Sequence, residues 1–157
     1  MKTILLFASI ILASGLFLTN VYNSLIDARS WGSAIPQSIA TARDYYSQIN
    51  PGNFFRIFSP INQVLVLLVL ILFWKSSPAI RWCLLTAFIL FVLVDVFTFA
   101  YFYPRNDIMF KTAQLTEVET IKKAWSGWNT MNWVRSFILL AGIFFSSLSL
   151  HKFYMLR

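Results

Sequence analysis

The sequence predicts an all-α polytopic membrane protein, an antiparallel four-transmembrane-helix bundle with short amphipathic surface helices on the outer side. Three observations lead there. The 157 residues are 58% hydrophobic and 18% aromatic but only 12% charged, with mean hydropathy +0.66; a soluble domain carries about twice that charged share. Four apolar runs, Lys2–Asn20, Ile57–Trp74, Ala79–Tyr103 and Trp133–Leu150, stand out of the chain. Each is close to the ~20 residues that cross a bilayer as a helix. The segments between them carry turn residues, cations and aromatic belts. The expected organisation is one domain over residues 1–157, with spans at about 2–26, 54–75, 78–103 and 127–151.

Net charge is +7. In a soluble protein that surplus would suggest nucleic acid; here the cations flank the apolar runs, so the expected partner is the lipid bilayer and no nucleic acid. The single cysteine, Cys83, lies inside the third span. One thiol allows neither an intrachain disulfide nor a Cys-x-x-Cys redox pair, which excludes thiol-based quinone-linked oxidoreductases.

Met1-Lys2 followed by an apolar run resembles a signal peptide, with Ala13-Ser14-Gly15 as a small-residue cleavage site. The run continues through Leu16, Phe17, Leu18 and Val21, so it reads as an uncleaved first span whose far end carries Asn20 and Asn23. In the polar segment that follows, Ile35, Ile39, Ala42, Tyr46 and Ile49 recur at helical spacing behind Pro36. This predicts an amphipathic helix lying on the membrane surface. Asn50-Pro51-Gly52-Asn53 has turn composition.

Span two has two readings. Starting at Pro60 it would be only ~22 Å long against a ~30 Å core; starting near Asn53 it encloses Pro60, which frees a backbone carbonyl. Either way Asn62 and Gln63 lie in the outer part of the membrane. Ser77 is a candidate cap for span three, with Pro78 at its first position. That span contains Asp95 and leaves the membrane through Tyr101, Tyr103 and Pro104. Thr116-Glu117-Val118-Glu119 has the pattern of a capping box and predicts a short separate helix, with Gly127 as a hinge onto span four.

Span four opens with the densest chemistry: Trp128, Asn132 and Arg135 fall at i, i+4 and i+7, on one helical face. Arg135 lies roughly 10 Å below the start of that helix, and a guanidinium there needs a partner or a wet cavity. Asp95 stands roughly 12 Å below the same rim on the preceding antiparallel helix, at matching depth. Asn20, Asn23, Asn62, Gln63, Asp95, Asn129, Asn132 and Arg135 thus form one polar layer drawn from four helices. Amides at such positions also serve simply as interhelical staples, and an Asp95–Arg135 pair could be structural; intramembrane ionisable groups nonetheless mark candidate sites. Trp125, Trp128 and Trp133 are at headgroup-anchor height, and Trp128 alone shares the Arg135 face.

No metal-ligand cluster, nucleophile triad, phosphate loop or nucleotide fingerprint is present, so no metal and no cofactor is expected. His151, the only histidine, falls at the opposite rim and excludes a bis-histidine haem within one chain; a mono-histidine haem stays open. Amides, an Asp–Arg pair and aromatic rings can bind and polarise an enolate or phenolate in a dry site.

Three blocks carry a resemblance: Asn50-Pro51-Gly52-Asn53-Phe54-Phe55-Arg56, Tyr103-Pro104-Arg105-Asn106, and Trp125 to Arg135 with Trp128, Asn129, Asn132 and Trp133. With four spans of this spacing, the chain resembles the anthrone oxygenase-like family of small membrane proteins, mostly of unknown function. The resemblance covers nearly the whole chain. It implies a cofactor-independent oxidation of anthrones to anthraquinones for some members, and Asn106, Trp128, Asn132 and Arg135 as shared functional positions. The expected catalytic set is Arg135, Asn132 and Asp95. Arg135 would hold a developing anion and Asn132 would donate a hydrogen bond. Trp128, Asn129, Asn62, Asn20 and Asn106 would bind an apolar aromatic or quinone-like molecule, with Trp128 stacking on its ring. The alternative is a non-catalytic lipid- or small-molecule-binding protein or a subunit of a membrane complex; a small transporter is disfavoured because no inverted repeat is evident. Even span number puts both termini on one side, with Lys2, Lys75, Arg81, Lys152 and Arg157 in short flanks, which places them in the cytoplasm of a cell's inner membrane. Self-association into homo-oligomers is left open.

Overall fold

The apolar runs do become helices, and the helices outlast them. The computed structural model describes residues 2–111 and 117–156, and these are helical with no strand. We number five helices: α1 (Lys2–Trp31), α2 (Gln37–Tyr45), α3 (Pro51–Leu72), α4 (Pro78–Phe110) and α5 (Val118–Met155). Four of them, α1, α3, α4 and α5, are long and apolar enough to cross a membrane, which makes this a multi-pass membrane protein. They form a closed ring in which α1 packs on α3 and α5, and α4 packs on α3 and α5.

The buried faces follow the bundle period. In α1, Leu6, Ser9, Ala13, Leu16 and Asn20 alternate three and four apart, so one narrow stripe faces the partners. In α5 the same rhythm runs from Ile121 to Phe153 and is rich in small residues: Gly142, Ser146 and Ser149. Small residues let membrane helices approach closely. A Cβ at Gly142 would lie 2.6 Å from Phe91 Cε1, and that ring is only 2% exposed, so it has nowhere to go. Gly142→Ala is therefore expected to cost about 1–3 kcal/mol through overpacking, read as a lowered unfolding midpoint in detergent; an unchanged midpoint would mean that α4 can move away.

Several boundaries differ from the sequence reading. Span two uses its longer form: Asn50 caps α3 by accepting from Gly52 N (2.9 Å), Asn53 completes the capping box, and Pro60 lies inside the helix. Pro78 opens α4, but Ser77 makes no side-chain capping bond. α4 does not end at Tyr103; it runs on to Phe110, and a π-turn at Thr98–Phe102 widens the helix just before Pro104, where the missing N–H would otherwise break the ladder. A second π-turn at Asn23–Asp27 carries α1 on to Trp31. The separate helix expected before span four is absent: Val118–Met155 is one helix of 38 residues, and Gly127 is not a hinge. It is instead a close-approach site, where a Cβ would lie 3.0 Å from both Arg105 Nε and Tyr101 Oη. The predicted capping box at Thr116 falls partly outside the described residues; within them Glu117 caps α5 without a side-chain bond.

At about 1.5 Å per residue, α5 is roughly 57 Å long and so exceeds a ~30 Å hydrocarbon core by many turns. The excess of α1, α4 and α5 gathers at the end opposite the termini, which we term the distal end. α2 closes that end. It is the short amphipathic outer helix that the spacing predicts, and its apolar face is seated on the bundle end: Ile39 and Ala42 are buried in a cluster with Trp31, Phe102, Met109 and Trp128, while Ile49 is exposed. A middle cluster (Ala13, Val66, Ala87, Phe91, Val94, Leu139) and a cluster at the terminal end around Phe73 and Phe153 complete the core. Between the distal and middle clusters lies the polar layer.

Candidate functional site

α5 brings its i, i+4, i+7 set inward as predicted: Trp128 is 4% exposed, Asn132 0% and Arg135 6%. Asn20 of α1 meets Asn132 directly, each side chain donating to the other's backbone carbonyl (Asn132 Nδ2 to Asn20 O at 3.0 Å, Asn20 Nδ2 to Asn132 O at 3.2 Å). Ser136 accepts from Asn20 at 2.7 Å, and Ser24 accepts from Asn132 at 2.6 Å. Both amide N–H groups of Asn132 are thereby used. Its free Oδ1 accepts from Arg135 Nη2. Asn132 is thus a clamp between α1, α5 and the guanidinium, and it has no donor left for a ligand.

The Arg135 guanidinium is otherwise lightly held. Nη1 donates to Thr98 Oγ1 at 3.3 Å, the Phe102 ring centre lies 4.2 Å from Cζ, and Phe55 and Trp128 lie farther out at 5.5 and 6.0 Å. Ring faces attract a cation but neutralise no charge. Asp95 shares the depth of Arg135 as the sequence indicated, yet no ion pair joins them. Its carboxylate instead accepts from Ser59 Oγ (2.7 Å) and Gln63 Nε2, side chains four apart on α3. The alternative of a structural ion pair is therefore replaced by two separate attachments, Asp95 to α3 and Arg135 to α4 and α5.

What separates them is space. A cavity of about 480 Å³ lies among α1, α3, α4 and α5, bordered by Asn20, Asp95, Thr98, Asn106, Trp128 and Arg135. That falls in the usual range for small-molecule sites. Three buried polar atoms on residues bordering it have no hydrogen-bond partner among the described residues: Arg135 Nε, Trp128 Nε1 and Asn20 Oδ1. Buried polar groups are paired in the great majority of cases, so two orphan donors and one orphan acceptor, each buried within a residue that borders one cavity, mark a polar demand that the surrounding protein leaves unmet. The aromatic wall is rigid: Trp128 meets Trp31 at 5.1 Å and Phe102 at 5.6 Å between ring centres, both edge-on.

α2 forms the roof. Arg43 donates from Nε to Met109 O at 2.7 Å, tying the roof to the end of α4. Tyr46 borders the cavity and donates to Asp27 Oδ1 at 3.3 Å. Burial first, then the Asp27 carboxylate and its hydrogen bond, push the Tyr46 phenol up to about 12, so it stays a donor at neutral pH.

Of the predicted site residues, Arg135, Asp95, Trp128, Asn20 and Asn106 border the cavity, and Asn132, Asn129 and Asn62 do not. Asn62 is buried with its Oδ1 unpartnered, and Asn129 is half-buried beside the functional face. Thr98, Phe102, Phe55 and Tyr46 were missed. Ser59 and Gln63 were legible as a polar pair one turn apart in an apolar helix; Thr98 carried no such signal. His151 is exposed and at the terminal end, far along α5 from Arg135. Among the described residues no three His, Cys, Asp or Glu side chains gather as metal ligands.

A family model described as anthrone oxygenase matches residues 51–145, more than half of the chain. The match runs from the first turn of α3 through α4 and about three quarters of the way along α5, so it contains Asp95, Trp128, Asn132 and Arg135 and leaves out α1 and α2. No curated protein and no solved structure matches.

Proposed function

The chain belongs to the anthrone oxygenase family, and from that premise we propose that the cavity binds an apolar, enolisable aromatic ketone of the anthrone type and promotes its oxidation without a resident cofactor. The observation that carries this reading is the set of orphan polar atoms around the buried Arg135. An anthrone that loses a proton from its central methylene becomes an anion with charge on oxygen. The Arg135 guanidinium at the cavity wall would attract that oxygen, and fixed positive charge in a dry site stabilises developing negative charge without reorganising. Asp95, the carboxylate that borders the cavity at the depth of Arg135, would take the methylene proton. Dioxygen then accepts electrons from the carbanion; the peroxide formed at carbon loses water, leaving the quinone carbonyl. One dioxygen is consumed and one water released per anthrone. Asn132 acts by holding the guanidinium, and Asn129 and Asn62 drop out of the ligand set.

The test supplies an anthrone to the protein in lipid vesicles and follows anthraquinone by absorbance and oxygen by electrode. Turnover in equal amounts of both, above protein-free vesicles, is the expected result. Asp95→Asn should lower turnover at least about a hundredfold, the usual worth of a positioned base, while a bound dihydroxyanthraquinone still titrates. A variant that turns over normally would remove the base role.

One observation favours a second reading, a non-catalytic lipid- or small-molecule-binding protein: Asp95 is already held to α3 by two donors. Binding without oxygen consumption would select it. In both readings we keep the termini in the cytoplasm of a cell's inner membrane, supported by Lys2, Lys75, Arg81 and Lys152 at that end without a neighbouring acid, with the cavity toward the opposite leaflet. The cavity is built from one chain, so neither reading requires a second copy.

A further inference from the structure

The cavity has two edges where its lining residues reach the surface. One is at the distal rim, where Ser47, Asn50 and Lys111 are exposed. The other is the seam between α3 and α4, where Pro60 and Phe99 both border the cavity and both lie on the outer surface, Phe99 at 61% exposure. The surroundings of the second are mainly apolar: Ile57, Ile61 and Val96 are 56%, 45% and 55% exposed beside it, and Arg56, also exposed and bordering the cavity, stands one turn nearer the distal rim. Pro60 is the tenth residue of α3, roughly 14 Å along a helix that just spans a ~30 Å core. The seam therefore opens within the hydrocarbon layer.

The two edges are closed differently. At the distal rim Arg43 ties α2 to the Met109 carbonyl at the end of α4. Along the seam Ser59 and Gln63 of α3 donate to Asp95 of α4, at its inner margin. Beyond them, toward the distal end, the backbones of α3 and of the extension of α4 draw apart among the described residues. Pro60 withdraws a backbone N–H from the α3 ladder, and the π-turn at Thr98–Phe102 widens α4 beside it. Both helices are thus locally irregular where they face each other across the gap.

We infer that the cavity is loaded sideways from the bilayer: its ligand is a membrane-dissolved, uncharged aromatic of low water solubility that passes between α3 and α4 past Pro60 and Phe99. This rests on the ligand-binding reading of the cavity and adds the ligand's phase and route. Phe99 is the side chain that narrows the seam, packed on Tyr103 with ring centres 5.0 Å apart. A charged, water-borne analogue has no favourable path through that edge, because it would first have to dissolve in hydrocarbon.

The experiment uses the full chain in vesicles and reads tryptophan quenching by a dihydroxyanthraquinone after rapid mixing. The probe is either pre-dissolved in acceptor vesicles or replaced by its membrane-impermeant sulfonate in the water phase. The lipid-soluble probe should associate at least about tenfold faster than the sulfonate, and Phe99→Ala should raise association and dissociation rates together about fivefold with little change in Kd, the mark of a gate rather than a contact. Equal rates for the two probes on the unaltered protein, or a Phe99→Ala variant that binds with unchanged rates, would overturn the lateral route while leaving the site intact. Failure of both probes to bind at any concentration would take down the lateral route together with the reading of the cavity as a binding site.

Discussion

Arg135→Leu is expected to abolish anthrone turnover and weaken binding of a dihydroxyanthraquinone while leaving the bundle folded. Loss of a preorganised donor facing a developing anion costs about a hundred- to a thousandfold in rate, so turnover should fall into the background of uncatalysed oxidation. The stability side is the more telling. Arg135 is 94% buried by the measure of its 6% exposure, makes two side-chain hydrogen bonds and has no carboxylate in contact. A buried charge without a counter-ion destabilises a fold unless something compensates it. Leucine leaves Asn132 Oδ1 without its donor, a cost of about 1–3 kcal/mol, but removes the desolvated charge. These terms nearly cancel, so the unfolding midpoint in detergent should stay within a few degrees or rise. A structural role predicts the reverse pattern, a large fall in stability with ligand binding unaffected in whatever remains folded. Retention of both fold and all ligand binding would sink every reading that places a ligand against this guanidinium.

Much of this arrangement was legible before any coordinates, for a reason that also sets its limit. Helical spacing gives depth and face within one helix, so the burial of Trp128, Asn132 and Arg135 followed from their i, i+4, i+7 pattern, and the common depth of Asn20, Asp95 and Arg135 followed from counting residues to the rim. Spacing does not give the rotation of one helix against another. Asp95 and Arg135 were at the same height, yet Asp95 turns toward Ser59 and Gln63, and Arg135 toward Thr98 and Asn132. The amphipathic face of α2 was legible in its residues, and its seat over the end of the bundle follows from a cluster of Trp31, Phe102 and Trp128 that competes with lipid for the same side chains. Pro104 and Gly127 read as punctuation in a sequence; in the fold the π-turn absorbs the proline, and the glycine clears room for Tyr101 and Arg105. The family model adds the fold-level identity of α3 to α5, but the orphan donors on the cavity come from packing alone, and no pattern in the chain announces them.

Asn132→Leu should have the opposite signature, losing stability and function together. Its amide donates to Asn20 O and Ser24 Oγ and accepts from Arg135, and the reciprocal bond from Asn20 closes the pair. Interhelical hydrogen bonds in membranes average about 0.6 kcal/mol and reach about 1.7; the two lost to α1, together with the Arg135 donor left without its acceptor inside α5, give about 2–4 kcal/mol. The α1 contact loosens, and Arg135 loses the acceptor that aims it, so turnover falls even in the folded fraction. The double variant Asn132→Leu with Arg135→Leu separates the clamp from a simple sum of bonds. If Asn132 exists to satisfy the guanidinium, removing both should cost less than the two single costs added, with a coupling of about 1–2 kcal/mol, as for residues sharing one network. Unfolding midpoints of the four proteins in mixed micelles measure this directly. Strict additivity, with Asn132→Leu near neutral, would show that α1 and α5 are held by their small-residue seam and that the amide pair is incidental. A positive coupling would instead tie the folding of the bundle to the same guanidinium that the cavity presents to its ligand.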